Sequence, residues 1–136
     1  MQRYMHKPYL IDGLKFDMRI YVLLYGVDPL RLFVFREGLA RFATEEYNCP
    51  VKNNMDNLFM HLTNYSINKT SADFVHNQKE DGTGDGHKKS LNQIYEEIAS
   101  IEGADKVKEL KDNIKDVLIK TLITGEPSIK HIYKSC

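Results

Sequence analysis

The sequence predicts an α+β domain in which antiparallel strands come first and two helices follow. Residues 15–25 alternate between apolar and polar side chains, and two short apolar runs follow within the next twenty residues. From residue 91 onward, apolar residues recur at helical spacing. A chain of 136 residues, 42% of them hydrophobic, is long enough for one domain with a modest core.

The strands are predicted as an antiparallel meander. In Lys15–Tyr25 the side chains point alternately to the two faces, as in a strand. GVDPL at 26–30 supplies turn residues, and LRLFVF at 30–35 predicts a second strand. REG at 36–38 predicts a tight turn before a third strand at 39–44.

The middle of the chain shows no sustained periodicity. The polar and aromatic segment MHLTNYSINKT, residues 60–70, is assigned mostly to a strand edge and a loop. Residues 71–89 combine glycine and charge with few apolar side chains, which predicts a flexible insertion.

Two helices are predicted in the last third of the chain. Ser90 begins a serine–glutamine pair with capping-box spacing, and the helical pattern that follows indicates a helix at 91–101. A second apolar stripe covers 107–122, and this helix is expected to end before Gly125 and Pro127, which are stop signals.

Charge and cysteine content exclude several classes of function. Nineteen basic residues balance nineteen acidic ones, so no global field would attract nucleic acid or a membrane surface. Cys49 and Cys136 have no paired spacing, which argues against a disulfide framework or a zinc site. No apolar run reaches about 18 residues, and no signal-peptide pattern is present. We therefore expect a soluble intracellular protein that binds neither nucleic acid nor membrane.

One strand carries an unusual row of charges. Lys15, Asp17 and Arg19 share one face of the first strand, at about 6 to 7 Å per step. If Arg41 shares that face, a lysine and two arginines surround one carboxylate, which suits the binding of phosphate oxygens and a second anion. A solvated strand face or a cross-strand salt-bridge ladder would show the same pattern, and periodicity alone favours this simpler interpretation.

Three segments resemble the tubulin tyrosine ligase-like family, and most closely its polyglutamylase branch, within the ATP-grasp superfamily of carboxylate–amine ligases. They are QRYMHKPYLIDGLKFDMRIYVLL, PLRLFVFREGLARFAT and MHLTNYSINK. The resemblance implies that residues 1–136 are the central part of such a domain, a partial ATP-grasp fold truncated at both ends. The family's phosphate-covering lysines and its magnesium ligands have no counterpart in the sequence.

The resemblance also implies roles for individual residues. The family's adenine hinge corresponds to Gln2, Arg3, Tyr4 and Met5. Its nucleotide contacts on the first strand correspond to Lys15 and Asp17. The family's segment along the ribose and phosphates corresponds to His61, Leu62, Thr63 and Asn64. Arg19 and Arg41 match the two arginines placed near the terminal phosphate and the reacting carboxylate, and are the expected catalytic residues.

The implied activity is ATP-dependent addition of glutamate to glutamate side chains of tubulin tails. ATP and Mg²⁺ are the implied cofactors, with the metal ligands outside this chain. The implied partners are tubulin or microtubules and free glutamate. The implied location is the cytoplasm and cytoskeleton, including the cilium or basal body. The isolated fragment is expected to be inactive.

Other interpretations remain open at this point. The same motifs occur in ligases that add glycine, so a tubulin glycylase is one alternative. A truncated or pseudoenzyme module that binds nucleotide or tubulin without catalysis is another. A structural α+β domain with a salt-bridged strand is a third.

Overall fold

The computed structural model describes residues 3–76 and 86–135. One four-stranded sheet has the order β1-β2-β3-β4, and helices follow it, so the predicted α+β class is confirmed. The elements are β1 (Leu10–Ile11), β2 (Leu14–Val27), β3 (Leu30–Phe42), α1 (Leu58–His61), α2 (Tyr65–Asn68), β4 (Lys88–Ser90), α3 (Leu91–Glu102) and α4 (Ala104–Ser135).

The chain packs as two compact units. The first contains residues 1–19 and 38–91, and the second contains residues 20–37 and 92–136. The core of the first unit consists of Ile11, Ala40, Phe42, Ala43, Met60 and Leu91. The core of the second consists of Val27, Ile94, Ile98 and Val107. All the described residues to which the sequence assigns a site role belong to the first unit.

A tight hairpin precedes the long strand. β1 pairs antiparallel with β2, with Leu10 opposite Lys15. The two connecting residues, Asp12 and Gly13, have φ angles of +51° and +73°. Positive φ at both central positions is the geometry of a type I′ turn, for which Asp-Gly is a preferred sequence. This hairpin was not among the predicted elements, although Asp12-Gly13 is a sequence signal for it.

The predicted turn at 36–38 is wrong, because β3 runs without interruption from Leu30 to Phe42. The glycine in this segment has a packing role instead. A Cβ atom on Gly38 would overlap the carbonyl oxygen of Arg19 and the side chain of Leu91. Glycine is therefore required for close approach at this point and not for reversal of the chain.

The predicted strand edge at 60–70 is also wrong, because this segment forms two single-turn helices, α1 and α2. Asparagines organise them locally. The side chain of Asn57 accepts a hydrogen bond from the Phe59 N–H (3.2 Å) and caps α1. Amide side chains that bond nearby backbone groups favour turns and helix ends over strands, which explains the difference.

The first long helix, α3, spans 91–102 and confirms the helix predicted at 91–101. The stop signals proposed for the next helix are wrong, because α4 continues through Gly125 and Pro127 to Ser135. Beyond the proline, Lys130 and Lys134 contact the Asp28 carboxylate at 3.2 and 2.6 Å. These contacts attach the last turns to the β2–β3 turn, which local sequence signals do not reveal. None of the helices described is long and apolar enough to span a bilayer.

The two ends of the predicted insertion at 71–89 lie close together. The Val75 N–H donates to His87 Nδ1 (3.0 Å), and the His87 N–H donates to the Val75 carbonyl (3.2 Å). The Phe74 ring stacks on the His87 ring at 5.3 Å. Residues 77–85 lie outside the described part of the chain, so the flexibility of the insertion stays a prediction.

Candidate functional site

The sequence-predicted site residues come from four places in the first unit. Gln2 lies outside the described residues. Arg3, Tyr4 and Met5 form an exposed segment before β1. Lys15, Asp17 and Arg19 lie on β2, and Arg41 lies on β3. His61 ends α1, and Leu62, Thr63 and Asn64 connect α1 to α2.

Asp17 and Arg41 form a bidentate ion pair between neighbouring strands. Arg41 Nε donates to Asp17 Oδ1 at 3.0 Å, and Arg41 Nη2 donates to Asp17 Oδ2 at 2.7 Å. Both side chains are partly buried. The planar guanidinium matches a carboxylate in this arrangement, which holds Arg41 in one orientation. The cross-strand salt bridge considered for the charged row is therefore confirmed for this pair.

The other two charges of the row lie outside that pair. The Arg19 side chain is exposed on the same strand as Asp17. The Lys15 ammonium instead donates to the His61 carbonyl at 2.8 Å and to the Tyr4 hydroxyl at 3.3 Å. The row thus divides into a fixed arginine–aspartate pair, an exposed arginine, and a lysine directed toward the other motifs.

Aromatic rings surround the Lys15 ammonium. Its Nζ lies 5.0 Å from the centre of the Tyr4 ring and 5.9 Å from the centre of the Tyr47 ring. Such cation–π contacts hold an ammonium in place without neutralising it. No sequence pattern points to Tyr47, because it stands in no recognisable motif and only the fold brings it near Lys15.

Tyr47 also contacts the segment before β1. Its hydroxyl donates to the His6 carbonyl at 3.1 Å. Burial, with a smaller contribution from its interaction with Tyr4, raises the pKa of the Tyr47 phenol above its usual range. A phenol carries its proton at physiological pH even without such a shift, so the hydroxyl is a donor to that carbonyl.

The contacts of His61 define its tautomer. Its Nε2 lies 2.9 Å from the Asn54 carbonyl oxygen, which can only accept, so Nε2 carries the hydrogen. In the neutral ring Nδ1 is then an acceptor, and the Tyr4 hydroxyl donates to it at 2.8 Å. Hydrogen bonds therefore run from Lys15 through Tyr4 and His61 to Asn54, and they join three separate sequence motifs.

An open cleft of about 460 Å³ lies beside these contacts. Tyr4 and His61 line both the cleft and the surroundings of Lys15. The remaining wall is mostly apolar and is formed by His6, Cys49, Pro50 and Met55. A concave, mainly apolar cleft with a few polar groups at one side is typical of small-molecule sites. Its aromatic and apolar lining suits a flat heterocycle.

The side chain of Asn64 is exposed at the start of α2. Asn64 occupies the N-cap position of that helix, yet its side chain makes no capping hydrogen bond. Asparagine at an N-cap normally bonds a backbone N–H of the first turn. The amide of Asn64 therefore stays at the surface without a capping partner, and its contact with a nucleotide stays a prediction.

No magnesium site can be assigned within the described residues. Across 3–76 and 86–135, no group of three histidine, cysteine, aspartate or glutamate side chains is placed to hold a metal ion. Asp17, the carboxylate of the charged row, has both oxygens bonded by Arg41. We therefore assign no magnesium ligand among residues 3–76 and 86–135.

Comparison with known proteins identifies relatives over the whole chain. The model of the tubulin-tyrosine ligase family matches residues 1–136. A protein of Tetrahymena thermophila named probable beta-tubulin polyglutamylase is 51% identical over 136 residues, which are 100% of this chain and 11% of that protein.

Two vertebrate proteins are also similar. Mouse tubulin polyglutamylase TTLL6 is 48% identical over 99% of this chain and 16% of its own length. Tubulin polyglutamylase TTLL7 of Xenopus tropicalis is 39% identical over 100% of this chain and 14% of its own length. The chain thus spans between 11% and 16% of these three relatives.

Proposed function

Since the chain belongs to the tubulin-tyrosine ligase family, as its motifs predicted, we propose that it is a segment of an ATP-dependent ligase that adds glutamate to tubulin tails. The relatives compared above, 39–51% identical over at least 99% of this chain, are named tubulin polyglutamylases. These names favour glutamate over glycine as the added amino acid. Tubulin and free glutamate are then the partners, and the cytoskeleton is the place of action.

One observation carries the nucleotide part of the proposal. The Lys15 ammonium, the Tyr4 hydroxyl and the His61 backbone meet at 2.8 to 3.3 Å beside the apolar cleft. The adenine of ATP would lie in this cleft against Tyr4. An ammonium has three hydrogens, and these contacts use two of them, so the third can donate to a phosphate oxygen.

The arginines serve the anionic groups of the reaction. Arg41 is held by Asp17, so its guanidinium is oriented before a substrate binds. Arg19 is exposed and can bind a phosphate or carboxylate without first breaking a buried contact. Together they would stabilise negative charge on the transferring phosphoryl group and on the tetrahedral intermediate.

The proposed reaction has two steps. In the first step, the γ-carboxylate of a tail glutamate attacks the γ-phosphorus of ATP. An acylphosphate forms and ADP leaves. The amino group of glutamate then attacks the acyl carbon, phosphate leaves, and an amide bond forms with loss of a proton. Mg²⁺ would neutralise phosphate charge, and we expect the ligands that hold it elsewhere in the protein.

The first test is MgATP binding by the native protein that carries this sequence. Lys15→Ala should weaken the affinity by about tenfold or more, because a charge-assisted hydrogen bond contributes roughly 1.5–3 kcal/mol. Lys108→Ala, which removes an exposed lysine in the second unit, is the matched control and should leave the affinity unchanged.

Ligase activity provides the second part of that test. Glutamate incorporation into tubulin should be lost in Arg19→Ala and Arg41→Ala, and it should require ATP. Incorporation of glycine but not glutamate would replace the proposed substrate. Undiminished glutamylation by Lys15→Ala would contradict the proposed nucleotide site.

A further inference from the structure

The side chain of Asn68, at the end of α2, uses its whole hydrogen-bonding capacity in the interior. It is 1% exposed. Its Oδ1 accepts from the Thr44 N–H at 3.1 Å and from the Thr44 hydroxyl at 3.0 Å. Its Nδ2 donates to the carbonyls of Leu62 and Asn64 at 2.8 and 3.1 Å. Two acceptor and two donor bonds leave the amide one orientation.

These four bonds connect two regions that the sequence presents separately. Thr44 is the second residue after β3, and the residue between them, Ala43, donates its N–H to the Lys15 carbonyl at 2.8 Å. On the other side, the bonded carbonyls of Leu62 and Asn64 flank Thr63. One buried amide therefore connects Thr44, whose neighbour Ala43 bonds the Lys15 backbone, to the segment between α1 and α2.

We infer that Asn68 is a positioning residue of the nucleotide site: it holds residues 62–64 at a defined place relative to Lys15. The inference rests on the proposed function for the identity of the ligand. Asn68 touches no ligand itself and acts through the segment that it bonds. It occupies two of that segment's carbonyls, while the Asn64 side chain stays exposed and uncommitted to capping.

The chemistry of the bridge explains why only an amide of this length fulfils the role. Aspartate has the same shape but no donors, so a carboxylate would face two carbonyl oxygens. Leucine would leave buried donors and acceptors without partners, which is costly. A change at Asn68 should therefore release the 62–64 segment before it disrupts the sheet.

The experiment compares four variants of the native protein that carries this sequence. Asn68→Asp removes the two donors, and Thr44→Val removes one hydrogen bond to the amide. Thr44→Ser keeps that bond and is the conservative variant. Ile94→Ala opens a cavity in the core of the second unit and is the control for lost stability alone.

Two quantities are measured at a temperature where all variants are folded. Hydrogen–deuterium exchange of peptides covering residues 60–66, without nucleotide, reports on the segment. Titration with MgATP reports on the site. We expect Asn68→Asp and Thr44→Val to speed the exchange and to weaken MgATP binding by about fivefold or more. Thr44→Ser should match the wild type in both. Ile94→Ala should lower the melting temperature while both quantities remain unchanged.

Each contrary outcome has a distinct meaning. Unchanged exchange in Asn68→Asp would overturn the inference whatever happens to nucleotide binding. If exchange were faster in Asn68→Asp but MgATP affinity fell equally in Asn68→Asp and Ile94→Ala, Asn68 would have a purely structural role. That result would also overturn the inference. If the wild-type protein bound no MgATP, the proposed function would fail, whereas the exchange comparison would still decide whether Asn68 holds the segment.

Discussion

Replacing Tyr4 with phenylalanine removes one oxygen atom from the centre of the contacts between Lys15 and His61. That oxygen donates to His61 Nδ1 at 2.8 Å and accepts from Lys15 Nζ at 3.3 Å. The ring itself remains, so the cation–π contact at 5.0 Å and the wall of the cleft are preserved. Tyr4→Phe is therefore a test of the hydrogen bonds alone.

The expected magnitude follows from the burial of the two groups. His61 is 9% exposed, so an unsatisfied Nδ1 would cost roughly 1–3 kcal/mol if water could not reach it. Tyr4 is 46% exposed, so water can approach from its side and replace part of the lost bond. We therefore expect a loss near the lower limit, about 1 kcal/mol in the free energy of unfolding.

The assay is urea denaturation together with nitrogen-15 NMR of the histidine rings. Tyr133→Phe, which removes an exposed hydroxyl on α4, is the control and should leave the stability unchanged. The His61 ring should keep its hydrogen on Nε2 in Tyr4→Phe, because the Asn54 carbonyl still accepts it. A double-mutant cycle with Lys15→Met should give a coupling energy of about 0.5–1.5 kcal/mol.

Two results would refute this reasoning. A wild-type ring with its hydrogen on Nδ1 would contradict the deduced direction of the hydrogen bonds. A coupling energy near zero between Tyr4 and Lys15 would show that the contact at 3.3 Å contributes nothing in solution.

Three further predictions concern the sheet and the insertion. Asp17→Asn should lower the free energy of unfolding by about 1–2 kcal/mol in urea denaturation, because a partly buried guanidinium loses its charged partner. Asp112→Asn, in an exposed helix pair, should change it by less than about 0.5 kcal/mol, and equal losses in the two variants would contradict this reasoning. Gly38→Ala should destabilise the protein by about 1–3 kcal/mol, because the added methyl group overlaps neighbouring atoms. Gly125→Ala, whose added methyl group meets only an ordinary contact, should stabilise the protein slightly. An unchanged stability of Gly38→Ala in the same denaturation assay would refute the packing role. Burial lowers the pKa of His87 below its usual value of 6.5, so its contribution to stability is present above pH 6.5 and is lost as the pH falls through the lowered pKa. His87→Gln should remove this pH dependence of the stability. A pKa of His87 at or above 6.5 in an NMR titration would refute the prediction.

Local patterns predicted the elements whose residues interact with close neighbours in sequence. Alternation identified β2, and helical spacing identified α3 to within one residue at its end. The same patterns misread Gly38 as a turn residue, because the atoms that require a glycine there belong to Arg19 and Leu91, distant in sequence. Pro127 was misread as a stop because the lysines beyond it contact Asp28 in the β2–β3 turn, which is distant in sequence.

The candidate site divides in the same way. The motifs named Tyr4 and His61, but not Tyr47, among the residues that surround Lys15, and they did not show which of these residues touch one another. Spacing placed Lys15, Asp17 and Arg19 on one face, yet only the fold shows that Arg41 binds Asp17 while Lys15 turns to Tyr4 and His61. A polar side chain chooses the partner that satisfies its hydrogen bonds, and that choice depends on neighbours brought together by folding.

By itself the sequence determined the α+β class, the family and the residues that carry its motifs, because these depend on residue type, order and spacing along the chain. Tertiary structure alone decided the role of Asn68, the tautomer of His61 and the arrangement around Lys15. Each of these depends on distances between groups far apart in sequence, and a hydrogen bond is lost when such a distance grows by less than an ångström.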